Sequence, residues 1–104
     1  MLLVNTPTIP NKTITATLGI ARGSTVRARN VGQDIFAGLK NIIGGEISEY
    51  TKLQAQSREQ AMQRLIEDAE KMGANAIVNV RLTTSMVIQG CSEILAYGTA
   101  VTLE

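Results

Sequence analysis

Cys91 is the only thiol in a chain of 104 residues that contains no histidine. Soft heavy metals prefer thiolate and imidazole, and a closed structural site takes about four such ligands. One chain therefore falls short of a soft-metal site, and Cys91 reads as an ordinary thiol on a turn. The escape is symmetry, in which several copies bring their Cys91 thiols together in a ring. Carboxylates offer another route. Glu46 and Glu49 bracket the start of a helix, where a spacing of three puts them on one face. Asp34 precedes them, and Arg58 follows close to the apolar stripe of the same helix. Such groups could hold a hard cation with waters, or clamp an anion. The plainer roles are a carboxylate offsetting the helix dipole and an arginine pairing across a subunit contact. Without histidine, nucleophilic pairs of the Ser–His or Cys–His kind are excluded. Gly38, Gly44 and Gly45 lack the lysine–hydroxyl ending of a phosphate loop. No motif identifies a cofactor.

The charge balance is nearly even, 10 basic against 9 acidic residues for a net +1. Nothing in it draws the chain to nucleic acid or to an anionic membrane, and no basic block occurs. No transmembrane span is visible, and Met1-Leu2-Leu3-Val4-Asn5 lacks the charged start and long apolar run of a signal peptide. A single cysteine builds no disulfide framework, so the expected home is the reducing cytoplasm.

The elements that position these residues follow from periodicity. Leu2 to Val4 is a short apolar run stopped by Pro7 and Pro10. From Thr13 the chain alternates, with Ile14, Ala16, Leu18 and Ile20 on one side, as in a half-buried strand. The pattern stumbles at Gly23, which predicts a bulge or bend there. A first helix is predicted from Asn30 to Gly44-Gly45, on Val31, Ile35, Leu39 and Ile42. A longer helix starts between Glu46 and Ser48. It carries the stripe Leu53, Ser57, Ala61, Leu65, Ala69 and Met72, whose small members fit close packing on a sheet. Gly73 is its expected stop, in a left-handed conformation. Ala74 to Ile88 and Ile94 to Leu103 are strands about a turn at Gln89-Gly90-Cys91-Ser92. Asn75 and Arg81 on the first of these have the same two readings as Arg58, an anion clamp or a structural pairing across a subunit contact, with the structural one favoured. The predicted architecture is a single α+β domain over 1–104, ordered β-β-α-α-β-β, with two helices packed on a mainly antiparallel sheet.

Two helices cover only one face of such a sheet. Leu95, Val101 and Leu103 are expected on the other, and the simplest second cover is another copy of the chain, the alternative being a monomer whose own N-terminal segment shields that face.

Phe36-Ala37-Gly38, Gly44-Gly45, Tyr50, Arg58, Ala61, Gly73-Ala74-Asn75-Ala76-Ile77-Val78 and Ala96-Tyr97-Gly98-Thr99-Ala100-Val101 together resemble the YbjQ-like family. These are small bacterial proteins of unknown function, labelled "putative heavy-metal-binding". The resemblance runs from about position 5 to the end. It implies an α+β fold and a homopentamer in which strands of five copies assemble into a barrel-like core, and it implies no settled chemistry. Two functions stay open on this reading. One is a binding or scaffold protein that presents a small ligand or ion with inter-subunit groups such as Asp34, Glu46, Glu49 and Arg58. The alternative is an enzyme using carboxylate and arginine sites between subunits.

Overall fold

A computed structural model describes residues 1–28, 48–88 and 91–104. Its elements are β1 (Leu2–Leu3), β2 (Ile14–Ala28), α1 (Ser48–Lys71), β3 (Ala76–Ile88) and β4 (Cys91–Leu103). The helix predicted from Asn30 to Gly45 and the Gln89-Gly90 part of the turn lie outside the described residues.

The strands form one mixed sheet in the order β1-β3-β4-β2. β4 is antiparallel to both neighbours, while β1 runs parallel to β3 through the pairs Leu2↔Ala76 and Leu3↔Ile77. Among the described residues one helix, α1, lies against β2 and β4. The architecture is therefore α+β, a helix on a four-stranded sheet.

The stripe of α1 explains how it sits. Ser57, Ala61, Leu65 and Ala69 recur every fourth residue and are buried, while Gln56, Glu59, Gln63, Glu67 and Glu70 face solvent. Three of the four buried residues are small, so the helix backbone comes down onto the strand. Gly23 is what it meets. A Cβ there would lie 2.2 Å from Leu65 N, 2.4 Å from Ala61 O and 2.6 Å from Arg64 C, all backbone atoms of α1. The expected bend at Gly23 is thus corrected. Pairing with β4 runs without a break through Arg22↔Tyr97, Gly23↔Ala96 and Ser24↔Leu95. The irregularities of β2 fall earlier, between Ile14 and Ala16 and between Thr17 and Gly19.

At its far end α1 stops as its sequence dictates. Gly73 has φ +86°. Its N–H donates to Glu70 O at 3.0 Å, and that of Ala74 donates to Ala69 O at 3.1 Å. These paired bonds satisfy carbonyls that a helix end leaves open, and the left-handed residue between them is the reason for glycine.

β3 departs from simple alternation. Its partners step from Val78↔Thr99 to Arg81↔Tyr97, and Asn79 takes φ 53°. This bulge turns Val78 and Val80 to opposite sides, where strict alternation placed them together. Val80 joins the core under the helix, around Ala21, Ala61, Leu65, Ala69, Ile77, Ile94, Ala96 and Ala100. Val78 joins a smaller cluster on the other side, with Ala76 and Val101. Gly98 faces the bulge, where a Cβ would sit 2.7 Å from Ile77 Cγ2 and 3.0 Å from Val78 O.

The second cluster answers part of the two-face problem within the chain. Val4, Ile9, Ile14 and Leu103 pack against it. Val101 is buried and Leu103 half-buried. The expectation that both would be left bare for a partner is overturned for Val101, and Leu103 is half covered by the chain itself.

Candidate functional site

The sequence singled out four candidate ligand-binding residues. Asp34 and Glu46 lie outside the described residues. Glu49 stands in the first turn of α1, its side chain outside the described part. Arg58 is exposed on α1, one position beyond buried Ser57. Of the four, only the Arg58 side chain lies among the described residues.

Cys91 opens β4, half-buried and free. In register it faces Ala28 on β2 and Ile88 on β3, neither of which bears a ligand atom on its side chain. Among the described residues no three His, Cys, Asp or Glu side chains converge. A soft metal needs more thiolate or imidazole than that, so the described part of one chain does not fit a heavy-metal ion.

Polar side chains that do have partners serve the architecture. Asn75 bonds Leu103 twice: its Nδ2 donates to Leu103 O at 3.1 Å and its Oδ1 accepts from Leu103 N at 2.7 Å. The side-chain amide thus imitates a strand rung where β3 begins. Arg81 Nη1 donates to Asn5 O at 2.8 Å and Val80 O at 3.0 Å, tying the N-terminal segment to β3. Both sets of bonds run to backbone atoms of the same chain rather than to a carboxylate across a subunit contact.

Two residues on α1 hold the outer edge of β2, a role that periodicity did not expose. Asp68 Oδ2 accepts the backbone N–H of Arg22 at 2.9 Å, and Arg64 Nη1 donates to Ser24 O at 2.6 Å. Among the described residues these edge groups have no strand beyond them, so the helix substitutes for one. Asp68 and Arg64 stand four apart on α1, a spacing that puts them on one face. Farther along, Arg27 Nη2 donates to Gln60 Oε1 at 3.2 Å. Thr25 Oγ1 and Arg27 Nε are buried without a partner.

The most pronounced surface is apolar. On the sheet face away from α1, Ile20 is 71% exposed, Val26 55% and Tyr97 38%. The register places Ile20 beside Thr99, Tyr97 beside Arg22 and Leu95 beside Ser24, so these residues share that face. At the tip of the β3–β4 hairpin, Leu82, Met86, Val87 and Ile88 are also exposed. Among the described residues no helix is long and apolar enough to cross a membrane.

Known proteins resemble the chain over its whole length. The family model YbjQ_1, described as "Putative heavy-metal-binding", matches residues 1–104. A UPF0145 protein of the archaeon Methanosarcina acetivorans is 57% identical over 101 residues, 97% of this chain and 95% of its own. UPF0145 proteins of Photobacterium profundum and Pyrococcus furiosus are 54% and 53% identical, covering 99% and 100% of this chain and 100% and 91% of theirs. Relatives are thus archaeal as well as bacterial. A crystal structure from Pediococcus pentosaceus, of a protein of unknown function in the DUF74 family, superposes with a TM-score of 0.66. It is 14% identical and covers 100% of this chain and 98% of that one, a likeness of fold alone.

Proposed function

The chain belongs to the YbjQ_1 family, the UPF0145 proteins, and from that premise we propose that it is a self-assembling binding or scaffold protein. In this reading copies associate through the open sheet face into a homopentamer with a barrel-like core, and the assembly presents a small ligand or ion with groups from neighbouring copies. Asp34, Glu46, Glu49 and Arg58 are the side chains assigned to that task.

The observation that carries the reading is the bare face around Ile20, Val26 and Tyr97. The N-terminal segment covers only the end of this face that holds Ala76, Val78 and Val101. Apolar surface left in water favours association by roughly 25 cal/mol per Å² removed. Single exposed apolar residues are ordinary on monomers, but several on one side of a sheet mark an interaction surface. The described residues of one chain supply no convergent metal ligands, so a site shared between copies fits the family description better than a site within one.

Native mass spectrometry of the purified protein tests this directly, because it reports copy number and retained ligand together. Five copies are expected. A single chain at micromolar concentration refutes the assembly.

A further inference from the structure

We propose that the side-on edge of the Arg27 guanidinium, Nε with Nη2, is an anion-binding site that takes a carboxylate or phosphate group in place of the Gln60 amide. The site lies within one chain and is independent of the assembly proposed above.

α1 runs along the edge of β2 in steps. Asp68 reaches Arg22, Arg64 reaches Ser24 and Gln60 reaches Arg27, so the helix number falls by four at each step as the strand advances. The first two steps hold backbone groups of the strand, at 2.9 and 2.6 Å. The third holds a side chain. There a neutral amide oxygen meets a cation at 3.2 Å, the longest of the three bonds. Nε and Nη2 carry parallel N–H groups along one edge of a guanidinium, spaced to match two oxygens of a carboxylate or phosphate. An amide has one oxygen. Gln60 Oε1 accepts from Nη2, and Nε is buried without a partner.

A buried donor without an acceptor is costly, more so on a charged group, and native proteins keep few of them. Two polar atoms share that condition here. Thr25 precedes Arg27 by two residues on the same face of β2, is 3% exposed, and has a buried Oγ1 without a partner. Gly23, the next residue back on that face, abuts the backbone of α1, so Thr25 lies between strand and helix. Its hydroxyl is a further donor beside the guanidinium. The charge nearby has the same sign. Arg64 stands one helical turn beyond Gln60, and its bond among the described residues is to the neutral Ser24 carbonyl. Donors and positive charge select an anion and reject a metal cation. Access requires little movement. Gln60 is exposed and Arg27 half-buried, so an anion reaches the edge once the Gln60 side chain turns aside. It then makes two charge-assisted bonds where the amide makes one.

Inorganic phosphate is the probe, with acetate in a parallel arm, each titrated calorimetrically in exchange for chloride at fixed ionic strength. Saturable binding of one anion per chain is expected, and the arm that saturates tells a phosphoryl ligand from a carboxylate. Arg27→Lys keeps the charge and loses the parallel donors, so affinity should fall at least about tenfold. Gln60→Glu supplies a carboxylate to the same edge from within the chain. It is expected to raise the thermal midpoint and to abolish binding of the added anion. Gln60 is exposed, so this variant keeps the test in force if Arg27→Lys fails to fold. Neither anion saturating at a Kd below about 10 mM overturns the site. So does an Arg27→Lys protein, or a Gln60→Glu protein, that binds as wild type does. Native mass is read on the same samples. Anion binding by a single-copy protein overturns the assembly and leaves this site standing; five copies that bind neither anion do the reverse.

Discussion

Replacing Gly23 by alanine is expected to destabilise the protein, against the usual direction of that change. Glycine inside a strand normally costs about 0.5–1 kcal/mol relative to alanine, through the entropy of the unfolded chain. At Gly23 the added Cβ would lie 2.2 Å from Leu65 N and 2.4 Å from Ala61 O. Ordinary contact begins at 3.4 Å, so the shortfall against Leu65 N is 3.4 − 2.2 = 1.2 Å. Neither neighbour is a side chain that can rotate aside, so the whole helix must lift. A gap of about 0.5–1 Å already forfeits a quarter to a half of each dispersion contact. Ala61, Leu65 and Ala69 are all fully buried and would loosen together. Burying one leucine-sized side chain is worth about 1.5–3 kcal/mol, and forced overpacking typically costs about 1–3 kcal/mol. A net loss of about 2–4 kcal/mol follows, a large share of the ~5–15 kcal/mol of a typical domain. Urea denaturation followed by circular dichroism at fixed protein concentration measures it. A Gly23→Ala protein as stable as the wild type, or more so, refutes the close approach of helix and strand.

Gly73→Ala is expected to cost about 1–2 kcal/mol in the same assay; with φ +86° and nothing within 4 Å of the added Cβ, the cost is backbone conformation alone. Val101→Asp should unfold the chain, because it buries a carboxylate in the cluster with Ala76 and Val78. Ile20→Asp, by contrast, should leave each chain folded and reduce copy number, as light scattering and circular dichroism together would show. Cadmium titration should give no thiolate absorption band; tight binding by wild type that disappears in Cys91→Ser would reverse this and require Cys91 to gather across copies.

Positions governed by short-range rules were legible in the sequence. Gly73 after Lys71-Met72 announced a helix stop, and the four-residue spacing of Ser57, Ala61, Leu65 and Ala69 announced the buried stripe. Gly23 carried an ambiguous signal, since a strand glycine marks either a bulge or a close backbone approach. Only the position of α1 decides between them. The bulge at Asn79 was hidden for a related reason. Ala76-Ile77-Val78-Asn79-Val80 alternates plausibly as written, and a single residue in a left-handed conformation reverses everything after it. Val101 was assigned to a bare face because periodicity gives the side of a strand and not what lies over it. The N-terminal residues that cover it, Val4, Ile9 and Ile14, come from the opposite end of the sequence. Of the candidate site, Arg58 is described as exposed and Glu49 by its backbone, while Asp34 and Glu46 fall outside the described residues.

The bond from Arg22 N–H to Asp68 gives the protein a local reporter of its own motion. Backbone amides on a sheet edge ordinarily exchange with solvent deuterium quickly, because no strand shields them. The Arg22 amide is held instead by a helix side chain at 2.9 Å. Its exchange rate therefore follows the undocking of α1 from the sheet, whereas amides between β3 and β4 follow the opening of the hairpin. Comparing the two separates a helix that lifts while the sheet persists from a fold that opens all at once.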